Sequence, residues 1–302
     1  MNVASVAEQL FFTTALITAS NDEAAWVGTG FFHVAETDKG HLDVLVTNKH
    51  VVETASAITL RLIETSGEGP DLGHGVPITI QDFTDRNWTG HPHPDVDVAV
   101  VPIRPALDAL LRSGKRVFYK QIPSGMMLDD ADLETLDALE SIVFIGYPSG
   151  IYDTVNLTPI ARQGITATPI AIDYQGLPAF LIDASVFPGS SGSPVFTFSR
   201  GIRTSKDGST SIGGSSLQLL GVLAAVHTRE VDGRITTSTP VGVTFDEPVD
   251  LGIVFRASAI TDCVDSLLEQ HALVRTEQPA AEVPVSPSPS PSEADDQLAD
   301  DA

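Results

Sequence analysis

Eight residues constrain this chain more than any others: Phe187-Pro188-Gly189-Ser190-Ser191-Gly192-Ser193-Pro194. The apolar run Ala179-Phe180-Leu181-Ile182 comes before them, and Val195-Phe196 follows directly. The pattern is a tight turn between two buried strands. Glycine accepts positive φ and lets the backbone approach a bound group closely. A turn of this kind can aim the amides of Gly189 and Ser191 at one point beside the Ser191 hydroxyl. A nucleophile flanked by N–H donors for an oxyanion is what acyl transfer requires. A Ser/Gly turn without chemistry fits the same eight residues, so the stretch alone leaves both readings open.

Two other stretches bear on that choice. Val44-Leu45-Val46-Thr47-Asn48-Lys49-His50-Val51-Val52 is a β-branched run carrying one histidine. His93-Pro94-Asp95-Val96-Asp97-Val98-Ala99-Val100-Val101 is a strand-like run carrying carboxylates. Asp95 and Asp97 are two apart and share a face if the run is a strand, so pattern does not separate them. The candidates in chain order are histidine, carboxylate, serine, and the gaps between them leave room for several strands.

At all three sites the sequence resembles the trypsin/chymotrypsin-like serine peptidases. Gly189-Ser190-Ser191-Gly192-Ser193-Pro194 is similar to that family's G-x-S-G-[GS]-P. Thr47-Asn48-Lys49-His50-Val51-Val52 is similar to the T-N-x-H-V-V of its bacterial HtrA-like branch, and Asp97-Val98-Ala99-Val100 to the branch's D-[LIV]-A-[LV]. Gly28-Thr29-Gly30-Phe31-Phe32 resembles the glycine motif before the histidine strand, where close packing under the histidine is implied. The resemblance implies His50 as base, Asp97 as its orienting carboxylate, Ser191 as nucleophile, and an oxyanion hole from Gly189, Ser190 and Ser191. Asp97 is preferred to Asp95 because Val98-Ala99-Val100 follows it. Members activated by cleavage often carry an aspartate where Ser190 stands, paired with the new N-terminus; here that partner is missing. The family position at the base of the specificity pocket is Ser185. His227 and Thr228 match the opposite wall, with His227 at the histidine of glutamyl-endopeptidase-like relatives. These residues imply no preference for Arg or Lys, and a lean toward acidic or small apolar side chains.

The fold implied is all-β: two antiparallel six-stranded barrels over residues 9–112 and 141–256, a C-terminal helix over 257–273, and no PDZ domain. Composition is consistent with this. With 24 glycines and 20 prolines, many short strands and turns are expected. Residues 10–19 and 27–34 read as paired strands, 104–120 as a connection with a helical turn, 129–140 as a helical insertion, and 199–216 as a polar excursion. Residues 274–302 are Pro/Ser-rich and acidic and cannot bury a core, so a disordered tail is expected there.

The formal net charge is −23. Seven acids and no Lys or Arg lie from residue 277 onward, leaving −16 on the remainder (−23 + 7). Both parts repel phosphate backbones and anionic lipid, so neither nucleic acid nor membrane is an expected partner. Cys263 is the only cysteine, and no basic segment precedes the first apolar stretch; a cytoplasmic setting is the expectation. The other histidines, among them His91 and His93 in a proline-flanked loop, read as solvated. No metal site and no cofactor are expected. The function expected is hydrolysis of peptide bonds in peptide or protein substrates through an acyl-enzyme. The alternatives are a catalytically silent binding module on the same fold and an esterase of another fold. The esterase is disfavoured because its nucleophile would come before its acid and histidine.

Overall fold

The computed structural model describes residues 3–276 except 66, 68, 205, 207, 209 and 236–240. The side chains of 130, 131, 134, 200, 202–204, 211–216, 225–235 and 241–248 also lie outside the description. The chain forms two β halves. In the first, β1 (Thr14–Ser20), β2 (Ala25–Thr37), β3 (Gly40–Thr47), β4 (Ala57–Thr65), β5 (Pro70–Ile80), β6 (Thr89–Gly90) and β7 (Ala99–Pro102) pair in the order β5-β4-β1-β2-β3-β7-β6. Two short strands of the connection, β8 (Val117–Phe118) and β9 (Ile122–Pro123), add to β4 and β2. The first half is thus a nine-stranded sheet, not a ring of six.

The second half closes. β10 (Ser141–Gly146), β11 (Ile160–Thr166), β12 (Ala179–Asp183), β13 (Pro194–Thr204), β14 (Thr210–Ile235) and β15 (Val241–Arg256) form a barrel in the order β10-β11-β12-β15-β14-β13. Among the described residues the α-helices are α1 (Val6–Leu10), α2 (Lys49–Val52), α3 (Arg104–Arg112), α4 (Asp130–Thr135) and α5 (Ser258–Gln270).

Alternation along the strands explains why the halves stay together. On β2 and β3, Phe32 and Leu45 face the core of the first half, while Phe31, Val44 and Val46 face the other way. That outer face meets Phe196, Leu219, Val222 and Phe255 of the barrel and Ile260, Cys263, Val264 and Leu267 of α5. Successive strand residues point to opposite faces, so a sheet buried on both sides needs nearly continuous apolar runs. Val98-Ala99-Val100-Val101, wholly buried, is one.

Several expected elements differ in detail. The first strand begins at Thr14, because Ser5 and Glu8 form a reciprocal capping box that starts α1 and takes Leu10 into a helix. The histidine run leaves the sheet at Thr47 and turns into α2. The excursion at 199–216 is a continuing hairpin: β13 and β14 pair from Arg200↔Ser215 to Thr204↔Thr210. Residues 274–276 pair with the body. Thr37 and Arg275 form an antiparallel bridge, the Thr276 amide donates to the Glu36 carbonyl, and Arg275 reaches Asp265 at 2.7 Å. The rest of the expected tail lies outside the described residues.

Candidate active site

His50 sits on the single turn of α2. Val51 and Val52 on that turn are buried in the first core, which points Lys49 and His50 outward. The turn is seated tightly. A Cβ on Gly28 would stand 2.7 Å from a Val51 methyl, so a glycine is required beneath it. Trp26 Nε1 donates to the Val51 carbonyl at 2.9 Å. Close packing under the histidine is therefore present as expected.

Asp97 lies just before β7 and meets His50 twice. Its Oδ2 is 2.5 Å from His50 Nδ1, and its Oδ1 accepts from the His50 backbone amide at 3.1 Å. A carboxylate can only accept, so the imidazole proton sits on Nδ1 and the Nε2 lone pair is left to take another. Buried Asn48 donates through Nδ2 to the Asp97 carbonyl at 2.5 Å and fixes the approach of the loop. The His50 side chain is 46% exposed and Asp97 28%, open enough for a substrate to reach. Asp95 is exposed, and its amide donates to His93 Nδ1 at 3.2 Å. The carboxylate that faces the histidine is therefore Asp97. His91 corrects the sequence reading. Its side chain is only 10% exposed, and its Nε2 lies 3.1 Å from Asp262 of α5, tying the loop to that helix.

Ser191 is placed by backbone. Its carbonyl accepts from Thr29 N at 2.8 Å, and the Gly192 amide donates to Leu223 O at 2.7 Å. Gly192 has φ +87°, and a Cβ there would stand 1.9 Å from the Thr29 carbonyl oxygen, so no other residue fits. Thr29 Oγ1 donates to Gly189 O at 2.8 Å and accepts from Tyr147 N at 3.1 Å. Thr29, from the first half, thus stitches the serine turn of the second. In the sequence, Thr29 stands out only as part of the motif Gly28-Thr29-Gly30.

The turn also sorts the amides. Pro188 O accepts from Ser149 N at 2.5 Å. The peptide is planar and trans, so the Gly189 N–H points the opposite way. Among the described residues neither Gly189 N–H nor Ser191 N–H has an acceptor. Ser190 differs from the expected oxyanion set: its amide donates to Phe187 O at 3.0 Å, which leaves two free donors rather than three. The Ser191 hydroxyl donates to the Ala224 carbonyl on β14 at 3.1 Å. Ser185 is exposed at the start of the turn. His227 and Thr228 follow Ala224 along β14, but their side chains lie outside the described residues. Among the described residues no group of His, Cys, Asp and Glu is arranged to hold a metal ion.

A family model, the trypsin-like peptidase domain, matches residues 28–201, which hold all three of these positions. The chain belongs to the trypsin-like peptidase family. Peptides or proteins are accordingly the substrates of this peptidase. No curated protein matches its sequence. Solved structures similar to it include an inactive form of Rv3671c from M. tuberculosis, 17% identical, covering 88% of this chain and 92% of that one with a TM-score of 0.43. The HtrA-type protease AlgW with a tripeptide is 16% identical, covering 90% and 65%, TM-score 0.44. Tobacco etch virus protease with its product is 11% identical, covering 91% and 85%, TM-score 0.46. The peptidase thus spans about two thirds of the AlgW chain.

Proposed function

We propose that this peptidase is a serine endopeptidase working through His50, Asp97 and Ser191. The observation that carries the proposal is the doubly bonded His50–Asp97 pair, which leaves Nε2 as a base. In the reaction, Ser191 Oγ bonds to the scissile carbonyl carbon as His50 Nε2 takes the hydroxyl proton. Gly189 N–H and Ser191 N–H receive the oxyanion. His50 then gives its proton to the leaving amine, and the C–N bond breaks to leave an ester on Ser191. Water, deprotonated by His50, hydrolyses that ester and restores the serine. Before attack, Ser191 Oγ–H must turn from the Ala224 carbonyl to His50. Ser185, His227 and Thr228 would line the specificity pocket, whose chemistry disfavours Arg and Lys.

The Ser191–Ala224 bond favours a second reading, a regulated site on the same fold whose resting serine is not engaged. A fluorophosphonate probe tests the two: the first reading expects a covalent adduct on Ser191 of the purified protein, the second none.

A further inference from the structure

The serine turn has a feature that the triad does not use. Ser190 is fully buried, and its Oγ accepts from Arg162 Nη2 at 2.5 Å. Nη1 of the same guanidinium donates to the Ser185 carbonyl. Arg162 stands on β11 directly opposite Phe144 of β10, with its guanidinium carbon 4.6 Å from the Phe144 ring centre and 5.7 Å from that of Phe187. Its Nε is buried with no hydrogen-bond partner, and among the described residues no carboxylate pairs with it. Half-burying a cation without a counter-charge is unfavourable, and here burial pulls the guanidinium pKa down. The fork and the two ring faces are what offset that cost.

The geometry ties together two points five residues apart. Ser185 opens the segment and Ser190 closes it; between them lies Gly189, whose amide is one of the two free donors. We propose that Arg162 is the positioning residue that holds the 185–190 segment in the shape presenting the Gly189 and Ser191 amides to the oxyanion. The cation reaches Ser190 from β11, already in the folded chain, with a hydroxyl as its acceptor. This proposal rests on the reading of Ser191 as nucleophile.

The test compares wild type with Arg162→Met, Arg162→Lys and Arg162→Ala. The readouts are peptide hydrolysis, affinity for a peptide boronate, and the thermal midpoint. Misplacing an oxyanion donor costs about 100-fold or more. Arg162→Met should therefore lose about 100-fold in kcat/KM, with boronate affinity falling in parallel. Arg162→Lys, which keeps the charge but not the fork, should fall between. Millimolar guanidinium should restore part of the activity of Arg162→Ala, which a purely structural role would not produce. A folded Arg162→Met with wild-type kcat/KM overturns the proposal. If that variant does not fold, Arg162→Lys at the wild-type rate overturns it. If wild type takes no label at Ser191 and hydrolyses no peptide, the reading of the site falls, and the role of Arg162 with it. If wild type does both and the variants equal it, only the role of Arg162 falls.

Discussion

In the first half, the proposed base is held by side chains: Asp97 grips His50 at ring and backbone, and Asn48 grips the Asp97 carbonyl. In the second half, the proposed nucleophile is held mainly through the main chain of its turn: Thr29 N, Leu223 O and Ser149 N each take one peptide group, while the Thr29 hydroxyl and the Arg162 guanidinium brace Gly189 and Ser190. The difference follows from what each part must do. A base needs one tautomer and one ring orientation, which a carboxylate supplies. An oxyanion hole needs two N–H groups aimed at one point, which requires the backbone itself to be fixed and glycine where a side chain would collide.

If that contrast is sound, substitutions in the two halves should fail differently. Short of removing the base or the nucleophile itself, the largest effect should come from Asp97→Asn, which keeps the shape but removes the acceptor that sets the His50 tautomer. It should lower kcat by about 10⁴-fold with little change in thermal midpoint. Asp95→Asn should stay within about twofold. The reverse ranking in steady-state kinetics would break the side-chain account of the first half.

Gly192→Ala should fail through stability as well as rate. Its methyl would meet the Thr29 carbonyl at 1.9 Å in a backbone conformation that L-residues avoid. A loss of roughly 3 kcal/mol or more in denaturant unfolding is expected, with activity lost in the fraction that still folds. A stable, active Gly192→Ala would show that the turn is not fixed by its backbone.

The smallest effect is on pH dependence and sharpens the picture of the first half. His33 on β2 is buried, with Nδ1 2.7 Å from the Ile122 carbonyl. Burial lowers its pKa from 6.5 to about 4. Between those values the unfolded chain binds a proton that the folded chain does not. Stability from this residue is therefore complete above pH 6.5 and is lost as pH falls toward 4, by about 3 kcal/mol at most. His33→Gln should flatten that part of the stability curve. A variant with the wild-type pH dependence would remove His33 as its source.

The sequence disclosed most where chemistry and local pattern coincide. The serine turn, the histidine and Asp97 lie in short motifs whose neighbours specify them, and the apolar runs gave the strands that carry them. Elsewhere local pattern carried less. Val51 and Val52 extend a β-branched run through His50 that has the pattern of a strand, yet both are buried on one turn of helix. The 199–216 stretch has few apolar residues, so its hairpin rests on backbone pairing that side-chain periodicity does not report. Arg162 and Thr29 act across strand registers and between the halves, on Ser190 and Gly189 respectively. Nothing adjacent to either in sequence marks the contact.

The central claim is that Ser191 is a nucleophile served by His50. The most direct measurement is mass-spectrometric mapping of fluorophosphonate adducts on wild type, Ser191→Ala and His50→Ala, with peptide hydrolysis followed in the same samples. The account predicts one adduct on Ser191 in wild type, none in Ser191→Ala, strongly slowed labelling in His50→Ala, and turnover reduced by about 10⁴-fold or more in both variants. Unlabelled wild-type Ser191, or undiminished hydrolysis by Ser191→Ala, would contradict it.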